Sequence, residues 1–245
     1  MRPERHRYGR HRSQYAELFR PGEVDSGAGS PPPVAVVVHG GFWKARYGRK
    51  LMHPICADLA ARGWAAWNLE YRRLGRLNGG GFPATLDDVA AGIDALAAVE
   101  GVDRSRVVAI GHSAGGHLAT WSATREAPAV PVTAVVSQAG VVDLRLASEL
   151  RLSNGVVHRF LGGTPEQRPE RYAAASPARR LPLGVPILLT HGGRDVNVPP
   201  VISERFHEAA LAAGDRSELV LLPDEDHFGH IQPGNPLWDA VTKWL

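Results

Sequence analysis

The chain has 245 residues, 44% of them hydrophobic and 22% charged, the proportions of one globular domain large enough to bury a substantial core. Its formal charge is +3, from 28 basic and 25 acidic side chains, which excludes the large uniform field that would by itself demand a nucleic acid or a membrane surface. A single cysteine, Cys56, excludes an internal disulfide and fits a reducing, cytoplasmic compartment.

An N-terminal arm, residues 1–33, comes first, with Arg2, Arg5, Arg7, Arg10 and Arg12 set beside His6 and His11. It is expected to be solvated or partly frayed, residues 15–19 being the stretch able to add an edge strand. Contact with an anionic partner is the alternative use of those arginines. No hydrophobic h-region follows, so no secretory signal is read here. The longest aliphatic run, residues 34–38, falls far short of the about 20 residues a membrane helix needs.

After a Gly/Ser/Pro-rich link at 21–33, short β-branched runs alternate with longer amphipathic stretches. Strands are expected at 34–38, 64–69, 107–110, 132–137, 185–190 and 218–222. Helices are expected at about 50–62, 86–100, 114–125, 200–213 and 237–245, where apolar residues such as Leu86, Val89, Ala90 and Ile93 recur at helical spacing. The alternation predicts an α/β fold, a mostly parallel sheet with helices on both faces. Cys56 falls within one of these helices, where a free cysteine acts as a small hydrophobe rather than a nucleophile. Residues 141–183 break the rhythm without a clear strand. They are expected to form a short helical cap within a single domain spanning 1–245.

The sharpest chemical signal is Gly111-His112-Ser113-Ala114-Gly115, with an apolar strand before it and an apolar helix after it. In that setting a serine stands on a tight strand-to-helix turn with its Oγ exposed. A serine hydroxyl needs a base, and the base needs an acid behind it. The strand at 185–190 leads to Asp195 and the strand at 218–222 leads to His227, so both arrive at the same sheet edge as Ser113. His230 is the second candidate base; Asp224 and Asp226 are alternative acids, better suited to solvating or capping their loop. His39-Gly40-Gly41-Phe42-Trp43 follows the first core strand, and backbone N–H groups of Gly41, Phe42 and Ala114 are the expected oxyanion hole. Trp43, His112 and Phe228 are the expected substrate contacts, with core packing the equal alternative for each aromatic.

These residues resemble the esterase/lipase and BD-FAE-type branch of the α/β-hydrolases, which also includes arylformamidases. The likeness runs from about Val34 to Trp238. His39–Trp43 resembles the family's HGG-aromatic-Trp motif, Gly111–Gly116 its GHSAGG elbow, and Glu70-Tyr71-Arg72-Arg73 with Phe82-Pro83-Ala84 its YR…FPA segment. Phe160–Gly163 and Ala175-Ser176-Pro177 are similar to its cap and the entry to its acid-bearing strand; His191-Gly192-x-x-Asp195 and Asp226-His227-Phe228 resemble its acid and base motifs. The resemblance implies an α/β-hydrolase fold and cleavage of a small ester or amide through an acyl-Ser113 intermediate, without metal or organic cofactor. A carboxylic ester and a formylated aromatic amine both remain open as substrate, the latter because HGG-aromatic-Trp with Asp-His-Phe also fits arylformamidases. A catalytically silent binding module and a peptidase are the rivals, and a homo-oligomer stays open. Substrate is expected under the 141–183 cap, and no nucleic acid or membrane partner is expected.

Overall fold

The structure, a computed structural model, describes residues 3–22 and 30–245. Strand β3 (Pro33–Val38) shows why the sheet forms: Val34, Val36 and Val38 enter one apolar cluster while Ala35 and Val37 enter the other, so a run of aliphatic residues buries both faces. The remaining strands are β1 (Glu4–Arg7), β2 (Tyr15–Phe19), β4 (Ala65–Glu70), β5 (Asp103–His112), β6 (Ala134–Gln138), β7 (Ile187–Gly192) and β8 (Ser217–Leu222). Their order is β1-β2-β4-β3-β5-β6-β7-β8, parallel from β4 to β8 and antiparallel at the β1/β2 and β2/β4 pairings.

On one face of the sheet, helices α2 (Ala84–Asp94), α3 (Ala114–Ser122) and α7 (Val201–Ala212) bury Ile93, Leu118 and Phe206 in a single apolar cluster. On the other, α1 (His53–Ala61) and α8 (Pro236–Trp244) bury Ile55, Leu59 and Trp238. Cys56 packs among them, and burial raises its thiol pKa well above the ordinary range, as expected of a packing residue. The chain leaves β3 toward β4 on one side, whereas β5 leads to β6 on the other. The carboxyl ends of β3 and β5 therefore flank the point where the winding direction reverses, the place where open sheets gather ligand-binding loops.

Two expectations are corrected. Residues 3–19 of the arm are not frayed: β1 and β2 form a hairpin that extends the sheet. Their polar groups find fixed partners, with Tyr8 donating its hydroxyl to the Glu70 carbonyl, Gln14 Nε2 donating to Asp88 Oδ1 at 2.7 Å, and the His6 ring 5.2 Å from that of Trp67. The strand expected at 15–19 is present, but β1 lies outside it and takes the edge of the sheet. Much of the link at 21–33, residues 23–29, lies outside the described residues. The expected strand 107–110 is the inner part of a longer one, because Asp103 also pairs with Pro33 before the register shifts.

Residues 141–183 do form helices: α4 (Leu144–Glu149), α5 (Leu152–Leu161) and α6 (Pro169–Ala175). Asp143 caps α4, its Oδ1 accepting from the N–H groups of Arg145 and Leu146. The insertion is tied to the core by His117 on α3, whose Nε2–H donates to the Ala175 carbonyl at 2.8 Å.

Trp238 is fully buried and donates its indole N–H to Asp58 Oδ2 at 2.8 Å, so Trp238→Ala should destabilise the fold by about 4 kcal/mol in urea unfolding. A second prediction concerns acid. Burial pushes the His117 pKa down to about 4, against the smaller upward pull of its bond to Ala175. Between that value and the unfolded one of about 6.5, only the unfolded chain takes up the proton. The stability held by neutral His117 is thus complete above about pH 6.5 and falls on acidification at about 1.4 kcal/mol per pH unit. His117→Asn should flatten the pH dependence of unfolding free energy in this window; an unchanged slope would refute the assignment.

Candidate active site

The site begins with a close approach of three backbones. A Cβ on Gly111 would lie 2.0 Å from the Gly115 carbonyl oxygen, and one on Gly115 would lie 2.0 Å from that of Val38, so α3 can start against β5 and β3 only if both residues are glycine. Between them Ser113 adopts φ 58° and ψ −121°, a conformation rarely open to a side chain. The strain is held by its neighbours: Ser113 N–H donates to Gln138 O at 2.7 Å, and Ser113 O accepts from His117 N–H at 3.2 Å and Val141 N–H at 3.3 Å.

The loop after β3 is packed as tightly. A Cβ on Gly40 would come within 2.6 Å of the His112 carbonyl oxygen and 3.0 Å of Ser113 Cβ, and Gly41 has φ 104° with the Tyr47 side chain directly above it. Phe42 and Trp43 also have positive φ, at 51° and 55°. The loop is anchored through His39, which stacks on Tyr71 at 4.3 Å; its Nε2–H donates to Glu70 Oε1 at 3.0 Å, and Tyr71 donates its hydroxyl to His39 O at 2.7 Å. Burial would raise the Glu70 pKa, yet the charge and hydrogen bond of His39, Arg73 and the Tyr71 N–H together hold it below the usual carboxylate range. Among the described residues, the N–H groups of Gly41, Phe42 and Ala114 have no acceptor.

Asp195 and His227 meet at the ends of β7 and β8. His227 Nδ1–H donates to Asp195 Oδ2 at 2.6 Å, while Asp195 Oδ1 accepts the backbone N–H groups of Asn197 at 2.8 Å and Val198 at 2.9 Å. A second imidazole, His191, has Nε2 3.3 Å from Asp195 Oδ2 and donates to Val198 O at 2.8 Å. Burial alone would raise the Asp195 pKa; the hydrogen bonds from His191 and His227, the His227 charge and the Val198 N–H outweigh it and hold the carboxyl well below the usual range. The bond at Nδ1 leaves His227 Nε2 as the ring's free nitrogen. Asp226, rather than competing as the acid, accepts the N–H groups of Phe228 and Gly229, and Asp224 pairs with Arg194 at the surface.

Ser113, His227, His112, Gly41, Phe42 and Phe228 line one cavity of about 90 Å³. Among the described residues no hydrogen bond joins Ser113 Oγ to His227, a contact that often tightens only when substrate binds. His112 Nε2–H donates to His227 O at 2.7 Å, fixing the loop that carries the imidazole. Burial, then the nearby His227, pushes the His112 pKa down to about 3, so this ring is neutral at physiological pH. His230 lies behind, buried, with Nδ1 3.0 Å from Thr190 Oγ1, and does not line the cavity.

Trp43 is a correction. It is fully buried, stacked on Phe160 at 4.5 Å and edge-on to His117 at 5.3 Å, so it packs the insertion against α3 instead of facing the cavity. The cap expectation fails for the same reason: residues 141–183 cover the Trp43 side and contribute nothing to the cavity wall. Tyr47, Leu51, Asn197 and Ile231, which the sequence did not single out, complete that wall. No group of three or more His, Cys, Asp or Glu among the described residues is arranged to hold a metal ion.

The chain is similar in sequence and fold to known esterases. Esterase LipC of Mycobacterium tuberculosis is 27% identical over 97% of this chain and 63% of its own length. The isoprenylcysteine alpha-carbonyl methylesterase ICME of Arabidopsis thaliana is 27% identical over 90% of this chain and 55% of its own. The chain thus spans less than two thirds of these relatives. Among solved structures, the Thermogutta terrifontis esterase Est2 with propionate bound superposes with a TM-score of 0.77 at 26% identity, covering 99% of this chain and 91% of that one. A truncated carbohydrate esterase from gut microbiota gives a TM-score of 0.80 at 20% identity, covering 98% and 93%. The BD-FAE family model matches residues 24–210, and the chain belongs to that family of α/β-hydrolase-fold proteins.

Proposed function

We propose that the chain is a serine carboxylesterase for short-acyl esters, with Ser113 as nucleophile, His227 as base and Asp195 as the acid that orients it. The carrying observation is the buried Asp195–His227 pair, 2.6 Å apart, whose imidazole shares one small cavity with a serine on a strained strand-to-helix turn. With Nδ1–H engaged by Asp195, His227 Nε2 takes the Ser113 proton as Oγ bonds to the carbonyl carbon. The displaced electron pair resides on the carbonyl oxygen, where the N–H groups of Gly41, Phe42 and Ala114 receive it, each worth about 3 kcal/mol in the transition state. His227 then protonates the leaving alkoxide. Water, deprotonated by the same nitrogen, releases the acid and restores Ser113.

Cavity size supports the short acyl chain. About 90 Å³ is well below the roughly 300 Å³ at which pockets begin to enclose drug-sized molecules, so it admits a few carbons. Propionate bound to the structurally similar Thermogutta esterase supports the same range. Buried, unpaired Cys56 favours a cytoplasmic setting, and likeness to esterases supports a small-molecule ester as the partner. No helix among the described residues is long and apolar enough to cross a membrane.

A fluorophosphonate probe should label the intact chain and not Ser113→Ala, which should also lose about 10³-fold or more in kcat. Asp195→Asn should lower kcat by about 10⁴-fold, because the imidazole loses the acceptor that fixes its tautomer. In a p-nitrophenyl ester series, kcat/KM should peak between acetate and butyrate and fall about tenfold or more by octanoate. Equal labelling of Ser113→Ala, or faster turnover of an N-formyl aromatic amine than of every ester, would overturn the esterase reading.

A further inference from the structure

A cavity of about 690 Å³ adjoins the Ser113 pocket, and the two share Tyr47 and Leu51. Tyr47 is surface-accessible, yet its side chain packs directly on Gly41, so the larger cavity opens beside the proposed oxyanion loop. Its walls carry Arg12, Arg46, Arg49, Lys50 and Arg73 against one carboxylate, Glu70.

Those charges do not cancel. Arg49 Nη2 lies 2.7 Å from Glu17 Oε1, and Arg73 Nη2 lies 3.4 Å from Glu70 Oε1. Glu70 is further committed to His39. Arg12, Arg46 and Lys50 have no carboxylate partner among the described residues: Arg12 donates to Asn78 Oδ1 at 3.1 Å, and the Arg46 guanidinium sits 5.7 Å from the Tyr47 ring centroid. The Nε–H groups of Arg49 and Arg73 are buried without an acceptor. A concave site that gathers three uncompensated cations focuses field and attracts anions, and guanidinium forks suit carboxylate or phosphate oxygens.

The small pocket holds only the acyl side of an ester, so the alcohol side must pass outward over the shared Tyr47–Leu51 rim. We propose that this basic basin binds an anionic group on the alcohol side of the substrate, making the preferred substrate a short-acyl ester of a carboxylated or phosphorylated alcohol or phenol. The inference rests on the esterase reading above and deepens it.

The test uses three aryl acetates: neutral methyl 4-acetoxybenzoate, anionic 4-acetoxybenzoate and 4-acetoxyphenyl phosphate. Each is assayed with the intact chain and with the Arg46→Ala/Lys50→Ala double variant, whose replaced side chains are exposed and make no ion pair among the described residues. The expected result is a KM rise of about tenfold or more for one or both anionic esters, little change in kcat, and an unchanged neutral ester. About 0.5 M NaCl should raise KM for the intact chain in the same selective way. The larger effect, on carboxylate or on phosphate, names the group the basin prefers. Hydrolysis of all three esters with a variant effect equal for neutral and anionic substrates overturns the subsite alone. Absence of hydrolysis of any ester, together with absence of Ser113-dependent fluorophosphonate labelling, overturns the esterase reading and the subsite with it.

Discussion

The contact on which the rest of the site depends is the approach of α3 to β5 and β3, backbone against backbone, at Gly111 and Gly115. It decides where Ser113 can be and what its backbone must do, since the chain has to reverse from strand to helix within one residue held at positive φ. Strain of this kind costs of order 1–3 kcal/mol and survives only where surrounding bonds over-determine it. Here those bonds run from Ser113 to Gln138, His117 and Val141, so the central strands and the start of α3 all support one residue. The same turn leaves the first N–H groups of α3 without intrahelical acceptors, as at any helix start, and places that of Ala114 next to the serine. One packing constraint thus sets both the position of the Ser113 side chain and that of the Ala114 N–H beside it, unpaired among the described residues.

Around Asp195 the physics is of a different kind. Buried carboxylates are costly unless their oxygens are fully engaged, and this one takes two imidazoles and two backbone N–H groups. His191 borders Asp195 without lining the cavity: it donates to Val198 O, and its Nδ1 meets Ser203 Oγ at 2.7 Å, tying the Asp195 loop to α7. His112 does the corresponding task for the base loop through His227 O. Burial pushes the pKa values of His112 and His230 down, so these two rings add no positive charge to compete with the imidazolium that a proton-accepting His227 would become.

How much of this was legible in the sequence depended on whether the signal was local. The elbow was readable because both glycines and the serine lie within five residues and the strand and helix flanking them have their own periodicity. Asp195 and His227 were readable from their places after successive strands, since parallel strands deliver their following loops to one edge. The hairpin at residues 3–19 was not, because its arginines and histidines look solvent-bound, and His6, Tyr8 and Gln14 gain their partners only when Trp67, Glu70 and Asp88 are placed opposite them. Trp43 misled for a related reason: adjacent to Phe42 in sequence, it turns away at positive φ and meets Phe160, more than a hundred residues distant. The side chains that fold back over the cavity, Tyr47 and Leu51, carry no motif at all.

Glu70 is where the two halves of the molecule's chemistry meet. On one side it accepts from His39, whose ring is stacked on Tyr71 and whose following glycines form the loop beside Ser113. On the other it faces the basin, 3.4 Å from Arg73 and 3.9 Å from Arg49. A carboxylate with so many cationic neighbours is favoured in its charged form, and that charge offsets the repulsion among the arginines that would otherwise push the basin open. Because β4 ends at Glu70 and β3 ends one residue before His39, the pair also locks the register of two adjacent parallel strands at their carboxyl ends. An anion entering the basin would compete with Glu70 for Arg73 and Arg49, and Glu70 is also the residue that holds His39 at the start of the glycine loop beside Ser113.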